Sequence, residues 1–373
     1  MTLHTLDVSH TDSICHSPRH SHNRWHPGIA PAVRISPGDT VEIQTRDSLD
    51  GQIRPGMAAR ELADITLDRA HPLTGPVYVE GAEPGDLLAV RIDKLVPARY
   101  GFTAIFPGFG ALADLYPEPF LVHWELSDNF ATSAQLPGVR IPSAPFMGVM
   151  GLAPDAVSLL RTTARERAAI AEGTVAFLPN PSGAVPADPD IANEAWRTVA
   201  SHETGGNMDI RQLVAGSTLY LPVQVRGALF STGDAHFAQG DGESCGTAVE
   251  TSATVTCRFE LLKGAANEPG AQTPSYECSR SETPQIDSQG YFATTGLPIT
   301  PDGELFAFDA TLAARNAMRA MIAKLMREYD YSAQQAYCII SIAGDLRMSS
   351  VVNAPHTLVS VLMPRSIFSG SRR

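Results

Sequence analysis

The chain lacks an excess of basic charge. Its 28 Lys and Arg are outnumbered by 40 Asp and Glu, for a formal net charge of −12. A nucleic-acid or anionic-membrane partner needs a basic surface, so neither is expected. Paired cysteines are missing too: Cys15, Cys245, Cys257, Cys278 and Cys338 are odd in number and far apart, with no CxxC spacing. A disulfide framework is therefore not expected, and reduced thiols in a cytoplasmic protein are the simpler reading. No apolar run reaches the length of a membrane span, and no charged segment followed by an apolar one marks a signal peptide. No Walker sequence occurs, so nucleotide binding has no support.

What is present describes a large, β-rich fold. The 373 residues are 43% hydrophobic and 18% charged, enough to bury an extensive core as two packed domains or one large β-rich one. The 30 glycines and 28 prolines are scattered, as short strands joined by tight turns require. Pro37-Gly38-Asp39 precedes the alternating run Thr40 to Thr45, Pro84-Gly85-Asp86 precedes Leu87 to Ile92, and Val214 to Ser217 precedes Thr218 to Val223. Helical spacing appears at Ala156 to Ala171 and at Asp309 to Tyr329, and Ser332 reads as the N-cap of a further helix. The expected class is α+β and β-rich, a β-sandwich-type core, with internal duplication left open, carrying a C-terminal helix-containing part. The expected divisions are a flexible N-terminal arm (1–20), a β-rich core carrying the site (21–262), a linker or excursion (263–290) and a C-terminal α+β part (291–373). His4, His10, His16, His20, His22 and His26 crowd the start, as a metal-binding tract or as a solvated arm.

The chemistry concentrates between Glu203 and Glu250. An apolar run to Phe230 leads into Gly233, Asp234, His236, Gln239, Asp241 and Glu243, with glycines at 233, 240, 242 and 246. One imidazole and several carboxylates so close together offer ligands to zinc or a hard divalent ion. Asp234 and His236, two apart, share one face of a strand. The bland alternative is a polar hairpin, which suffices for Asp241-Gly242 alone. Gly205-Gly206-Asn207-Met208-Asp209 could turn backbone N–H groups toward a developing oxyanion, or be a plain turn. His71 and Glu80 flank one short strand, and Asp47, Asp50 and Gln52 follow another. Cys245 is a candidate nucleophile or an inert buried thiol.

These residues resemble the acetamidase/formamidase family, and its formamidase branch in particular. The likeness runs through His22-Asn23-Arg24-Trp25-His26-Pro27, Leu73 to Asp86, Pro107-Gly108-Phe109-Gly110, Pro145 to Gly151, Pro179 to Pro186, Gly205 to Asp209, Phe237 to Glu243 and Asp345-Leu346-Arg347. It implies hydrolysis of short aliphatic amides, formamide above all, to the carboxylic acid and ammonia, a β-sandwich-rich fold and a homo-oligomer built on dimers or trimers. One departure stands out: where formamidases tend to carry Asp-Trp-x-Gly-Gly-Gln, this chain has Asp47-Ser48-Leu49-Asp50-Gly51-Gln52. The mechanism expected is attack by a metal-activated water, with zinc as the cofactor. His236 and Asp234, joined by His71 or Glu80, hold the metal, and Glu243 moves the proton. Gly205, Gly206, Asn207, Gln239 and Asp50 are the expected substrate and oxyanion contacts. The rivals are a thiol amidase using Cys245 and a non-catalytic binding protein on the same scaffold.

Overall fold

All three turn-then-strand units occur in the computed structural model, which describes residues 2–10, 12–278 and 289–369. The principal strands of the first half are β1 (Leu3–Leu6), β2 (Thr40–Thr45), β3 (Leu73–Val79), β4 (Leu87–Ile105), β5 (Phe120–Leu126) and β6 (Phe146–Leu152), followed by helix α1 (Ala156–Ala171). Then come β7 (Gly205–Asn207), β8 (Ser217–Pro222), β9 (Phe230–His236), β10 (Glu250–Leu262) and β11 (Tyr291–Gly296). The chain closes with helices α2 (Ala310–Tyr329) and α3 (Ala333–Ala343) and strands β12 (Asp345–Ser350) and β13 (Leu358–Pro364).

The turn acids explain why these strands begin where they do. Asp39 accepts the N–H of Thr2 at 2.6 Å and of Ser36 at 3.1 Å, tying the turn to the start of the chain. Asp86 accepts the N–H of Glu83 at 2.9 Å and of Gly264 at 2.8 Å, and the Lys263 ammonium at 2.7 Å. β2 then alternates, with Val41, Ile43 and Thr45 buried. The helices start at caps: the side chains of Asp155, Asp309 and Ser332 accept the N–H of Ser158, Leu312 and Gln335. Such a cap stabilises a helix by about 1 kcal/mol.

Most strands join one mixed sheet, 16-stranded among the described residues. β10 runs antiparallel to β4 from Glu250↔Phe102 to Leu262↔Leu87, and to β2 from Ala253↔Thr45 to Arg258↔Thr40. β9 is flanked by β6 and by β3 and β10, and all its residues are buried. Two cores meet along it. Val41, Val77, Val90, Leu219, Phe230 and Ala235 belong to one. Trp124, Phe237, Met321, Tyr337 and Ile339 belong to the other, which lies under α2 and α3. A smaller antiparallel sheet, β11-β13-β12, packs beside α2.

At the N-terminus, β1 pairs in parallel with β2, and Leu6 and Ile14 are buried. Of residues 263–290, Ser275–Cys278 pair antiparallel with β8, while 279–288 lie outside the described residues.

Candidate active site

The end of β9 delivers the central histidine. Its register against β6 pairs Phe146 with His236 and Val149 with Gly233, which sets Gly148 across from Asp234. A Cβ on Gly148 would come to 2.7 Å from Asp209 Oδ1, 2.8 Å from Asp234 Oδ2 and 2.9 Å from His236 Cε1. The absent side chain therefore makes room for three polar ones. Asp209, Asp234 and Glu243 all have positive φ, at 50°, 57° and 39°. Non-glycine residues held there are strained by about 1–3 kcal/mol each, and such strain clusters at functional sites.

Hydrogen bonds decide which nitrogen of His236 is free. Gln239 Nε2 donates to the Asp209 carbonyl at 3.0 Å, so its other amide atom, Oε1, is an acceptor. His236 Nδ1 lies 2.9 Å from that oxygen and must carry the proton. Nε2 is left facing Asp234 Oδ1 at 3.3 Å, Glu250 Oε2 at 3.3 Å and Glu243 Oε1 at 3.9 Å. The other oxygen of Glu250 is fixed by the Ala248 N–H at 2.8 Å. Phe146 packs edge-on against the imidazole, with ring centroids 5.0 Å apart.

This cluster is short of partners. Asp209 Oδ1, Asp234 Oδ1, His236 Nε2, Glu250 Oε2 and Asn207 Oδ1 are all buried without a hydrogen bond. Each such atom costs about 1–3 kcal/mol, so five in one place call for an ion or a ligand. The electrostatics agree. Burial, with the charges of Asp234 and Glu250 behind it and His236 against it, pushes Asp209 up to about 7. Burial and the Asp209 charge push Glu243 well above the usual carboxylate range. Burial also opposes ionisation of Asp234, but His71 and His236 outweigh it and hold that carboxyl below its usual range. Burial would lower His236, yet the Glu250 and Asp234 charges raise it well above. Four carboxylates thus crowd one imidazole, a charge that a divalent cation would neutralise. Asp209, Asp234 and His236, and likewise His236, Glu243 and Glu250, offer ligand atoms within 4.8 Å of one another. One ring nitrogen with carboxylate oxygens suits zinc or a harder divalent ion.

The cluster floors a cavity of about 740 Å³ that Asn207, Asp209, Asp234, Gln239, Glu243 and Glu250 help to line. His71 lines it as well, its Nδ1 donating to the Thr198 carbonyl at 3.1 Å and leaving Nε2 available. Ser48 and Leu49 form part of the wall.

Other expected contacts lie elsewhere. Glu80 is exposed and pairs with Arg34 at 3.4 Å. It stands beyond the far end of seven-residue β3 from His71, and such a strand spans roughly 23 Å. Asp50 turns away from the cavity into a buried pair with Arg46 Nε at 2.5 Å, and also accepts from Ser13 Oγ and the Ile14 N–H. Gly205 and Gly206 pair with Gly151 and Met150 behind the cavity wall, while Asn207 reaches it. Gln239 has both amide atoms committed, so it positions His236. Hydrogen bonds to Cys338, Ser341 and Thr247 bring the Cys245 thiol to about 7 against the upward push of burial. Its Sγ is nevertheless fully buried against Ala104 O and Thr247, out of a substrate's reach. Asp209 and Glu250 complete the cluster without having been singled out in the sequence. Asp209 closes the Gly-Gly-Asn-Met-Asp run, a position that was visible, whereas Glu250 carries no local signal.

The chain is similar to known proteins over nearly its whole length. The model of the Acetamidase/Formamidase family matches residues 7–370. An acetamidase of Mycolicibacterium smegmatis is 34% identical over 99% of this chain and 97% of its own. A formamidase of Methylophilus methylotrophus is 32% identical, over 93% and 89% respectively. Among solved structures, a gamma lactamase from Delftia acidovorans aligns with a TM-score of 0.93 at 33% identity, covering 99% of this chain and 94% of that one.

Proposed function

We propose, from the premise that the chain belongs to the acetamidase/formamidase family and is an amidohydrolase of short linear amides, that water activated at the His236 cluster cleaves a formamide-like amide to the carboxylic acid and ammonia. The observation that carries this reading is the free Nε2 of His236, buried behind the carboxylates of Asp234, Glu243 and Glu250, which line a cavity. Asp209, Asp234 and His236 would hold a divalent ion, zinc in this proposal, with His71 beside them. Bound there, the ion would ease deprotonation of water and polarise the amide carbonyl.

The chain's own residues do the rest. Glu243 takes a proton from water as the new C–O bond forms, and returns one to the amide nitrogen as the C–N bond breaks. Asn207 donates its side-chain N–H to the Val199 carbonyl at 3.0 Å, so its unpartnered Oδ1 is an acceptor suited to the substrate NH₂. Gln239 fixes the His236 tautomer. The named activities of the relatives share one step, addition of water to an amide carbonyl, and that is the step assigned here to Glu243. We place the enzyme in the cytoplasm, where thiols such as the exposed Cys15 and Cys278 stay reduced. We also take it to be a homo-oligomer, with apolar side chains such as Val352 and Phe308 covered in the assembly.

The test is ammonia release from short amides with zinc supplied. Glu243→Gln should lower kcat about 1000-fold with an unchanged circular dichroism spectrum. Chelation should remove activity, and zinc should restore it. A Glu243→Gln variant that still turns over would take the proton-transfer role away from this residue. Formamide binding has a ceiling of about 4.5 kcal/mol, at about 1.5 kcal/mol per non-hydrogen atom, so its KM should be millimolar or higher.

A further inference from the structure

Resting on the reading of this cavity as the amide-hydrolysing site, we propose that within the linear amides it cleaves, efficiency rises with acyl length, so that neutral primary amides with an apolar acyl group of about five to eight carbons are turned over better than formamide or acetamide. Size comes first. The cavity of about 740 Å³ lies in the range that encloses much larger ligands. Formamide, at roughly 30 Å³ per heavy atom, fills about a tenth of it.

The walls supply the chemistry. Away from the carboxylate floor, the lining includes Leu49, Phe106, Phe109, Phe177 and Val199. Among the described residues no Lys or Arg lines the cavity. An anionic tail would lie on this apolar wall with no Lys or Arg to pair with, so half-amides of dicarboxylic acids are disfavoured. An apolar tail instead leaves water for aromatic and aliphatic surface, a gain of about fourfold in kcat/KM per buried methylene.

The apolar wall also reaches the catalytic loop. Gly246 has φ of 88°, and a Cβ there would run into the ring of Phe109. The Gly246 N–H donates to the Glu243 carbonyl at 2.8 Å. An acyl group lying on Phe109 therefore rests on the loop that carries the proton-transfer residue, so its burial is coupled to the reacting end.

The experiment measures ammonia release from formamide, acetamide, butyramide, hexanamide and phenylacetamide, with succinamate as an anionic control. The same series is run on Phe109→Ala and Phe177→Ala, and calorimetric binding of each amide to the wild type is recorded alongside. We expect hexanamide to exceed acetamide by about 250-fold in kcat/KM, at about fourfold for each of the added methylenes, and succinamate to fall below butyramide. In each variant the hexanamide-to-acetamide ratio should fall about tenfold. Rates and affinities that stay flat or decline with acyl size, or a ratio unmoved in both variants, overturn the proposal. Graded binding without ammonia from any amide would leave the pocket chemistry standing and sink the hydrolytic reading, so the two failures are distinguishable.

Discussion

Two buried histidines stand at opposite ends of β9 and do opposite things. His22 meets the strand at Ser231, near its start, and His236 is its last residue. Their exposures, 1% and 0%, are the same, so burial does not separate them. Partners do. His22 Nδ1 donates to the Arg24 carbonyl at 2.7 Å, and Nε2 accepts from Ser231 Oγ at 2.8 Å. Both nitrogens are used, the ring is neutral, and burial, only partly offset by the Arg24 carbonyl, pushes its pKa down to about 4. His236 uses one nitrogen and aims the other at three carboxylates. The first arrangement is complete as it stands; the second is complete only with something added. The same contrast separates Asp50, fully engaged by Arg46 and the Ile14 N–H, from Asp234, whose Oδ1 is unpartnered.

The comparison breaks most directly if one substitution is made at both histidines. His236→Gln should lower kcat/KM by about 1000-fold and also lower the melting temperature, because the imidazole that offsets the surrounding carboxylates is lost. His22→Gln can keep both hydrogen bonds through its amide, so it should cost about 1 kcal/mol in denaturant unfolding and retain its activity per folded molecule. A folded but inactive His22→Gln, or an active His236→Gln, would erase the distinction.

A smaller effect should come from Gly148, which touches the reaction only by being small. Gly148→Ala puts a methyl group among Asp209, Asp234 and His236. Displacement by a fraction of an ångström should cost about 100-fold in kcat/KM. The check is steady-state kinetics on material whose thermal unfolding is also measured. Wild-type rates from a folded Gly148→Ala would mean that this geometry is not the reacting one.

Gly148 also shows where the sequence stops being readable. Strand and helix starts were visible because Asp39, Asp86 and Ser332 act on neighbours a few residues away. Asp234, His236 and Glu243 were visible because the hairpin after β9 keeps them together in sequence. Gly148 and Glu250 reach the site through the registers of β6 and β10 against β9, and no local pattern encodes a register. Glu80 shows the converse error. Its position just past β3 resembles that of His71 just before it, yet flanking a strand sends two residues to opposite ends. Asp50 sits only two residues past Ser48 in a polar turn, but its φ of 59° turns it toward Arg46 while Ser48 and Leu49 meet the cavity.

The smallest effect is in stability, and it isolates His22 from the acids around His236. With a folded pKa of about 4 against an ordinary value of 6.5, the unfolded chain takes up a proton below about pH 6.5 that the folded chain refuses. His22 therefore contributes stability above that pH, and the contribution is lost as pH falls toward 4. Asp209 and Glu243 act with the opposite sign. Their folded pKa values are raised, so each stabilises the fold as pH falls through its raised value. The wild-type profile alone mixes these effects, whereas the difference between wild type and His22→Gln cancels the acids and also His202, itself lowered to about 4, chiefly by burial. That difference should be flat above pH 7 and move against the wild type by about 2 kcal/mol by pH 5, measured by urea unfolding at each pH. A difference that stays flat down to pH 5 would mean His22 is protonated inside the fold, and the two histidines would then differ less than their hydrogen bonds say.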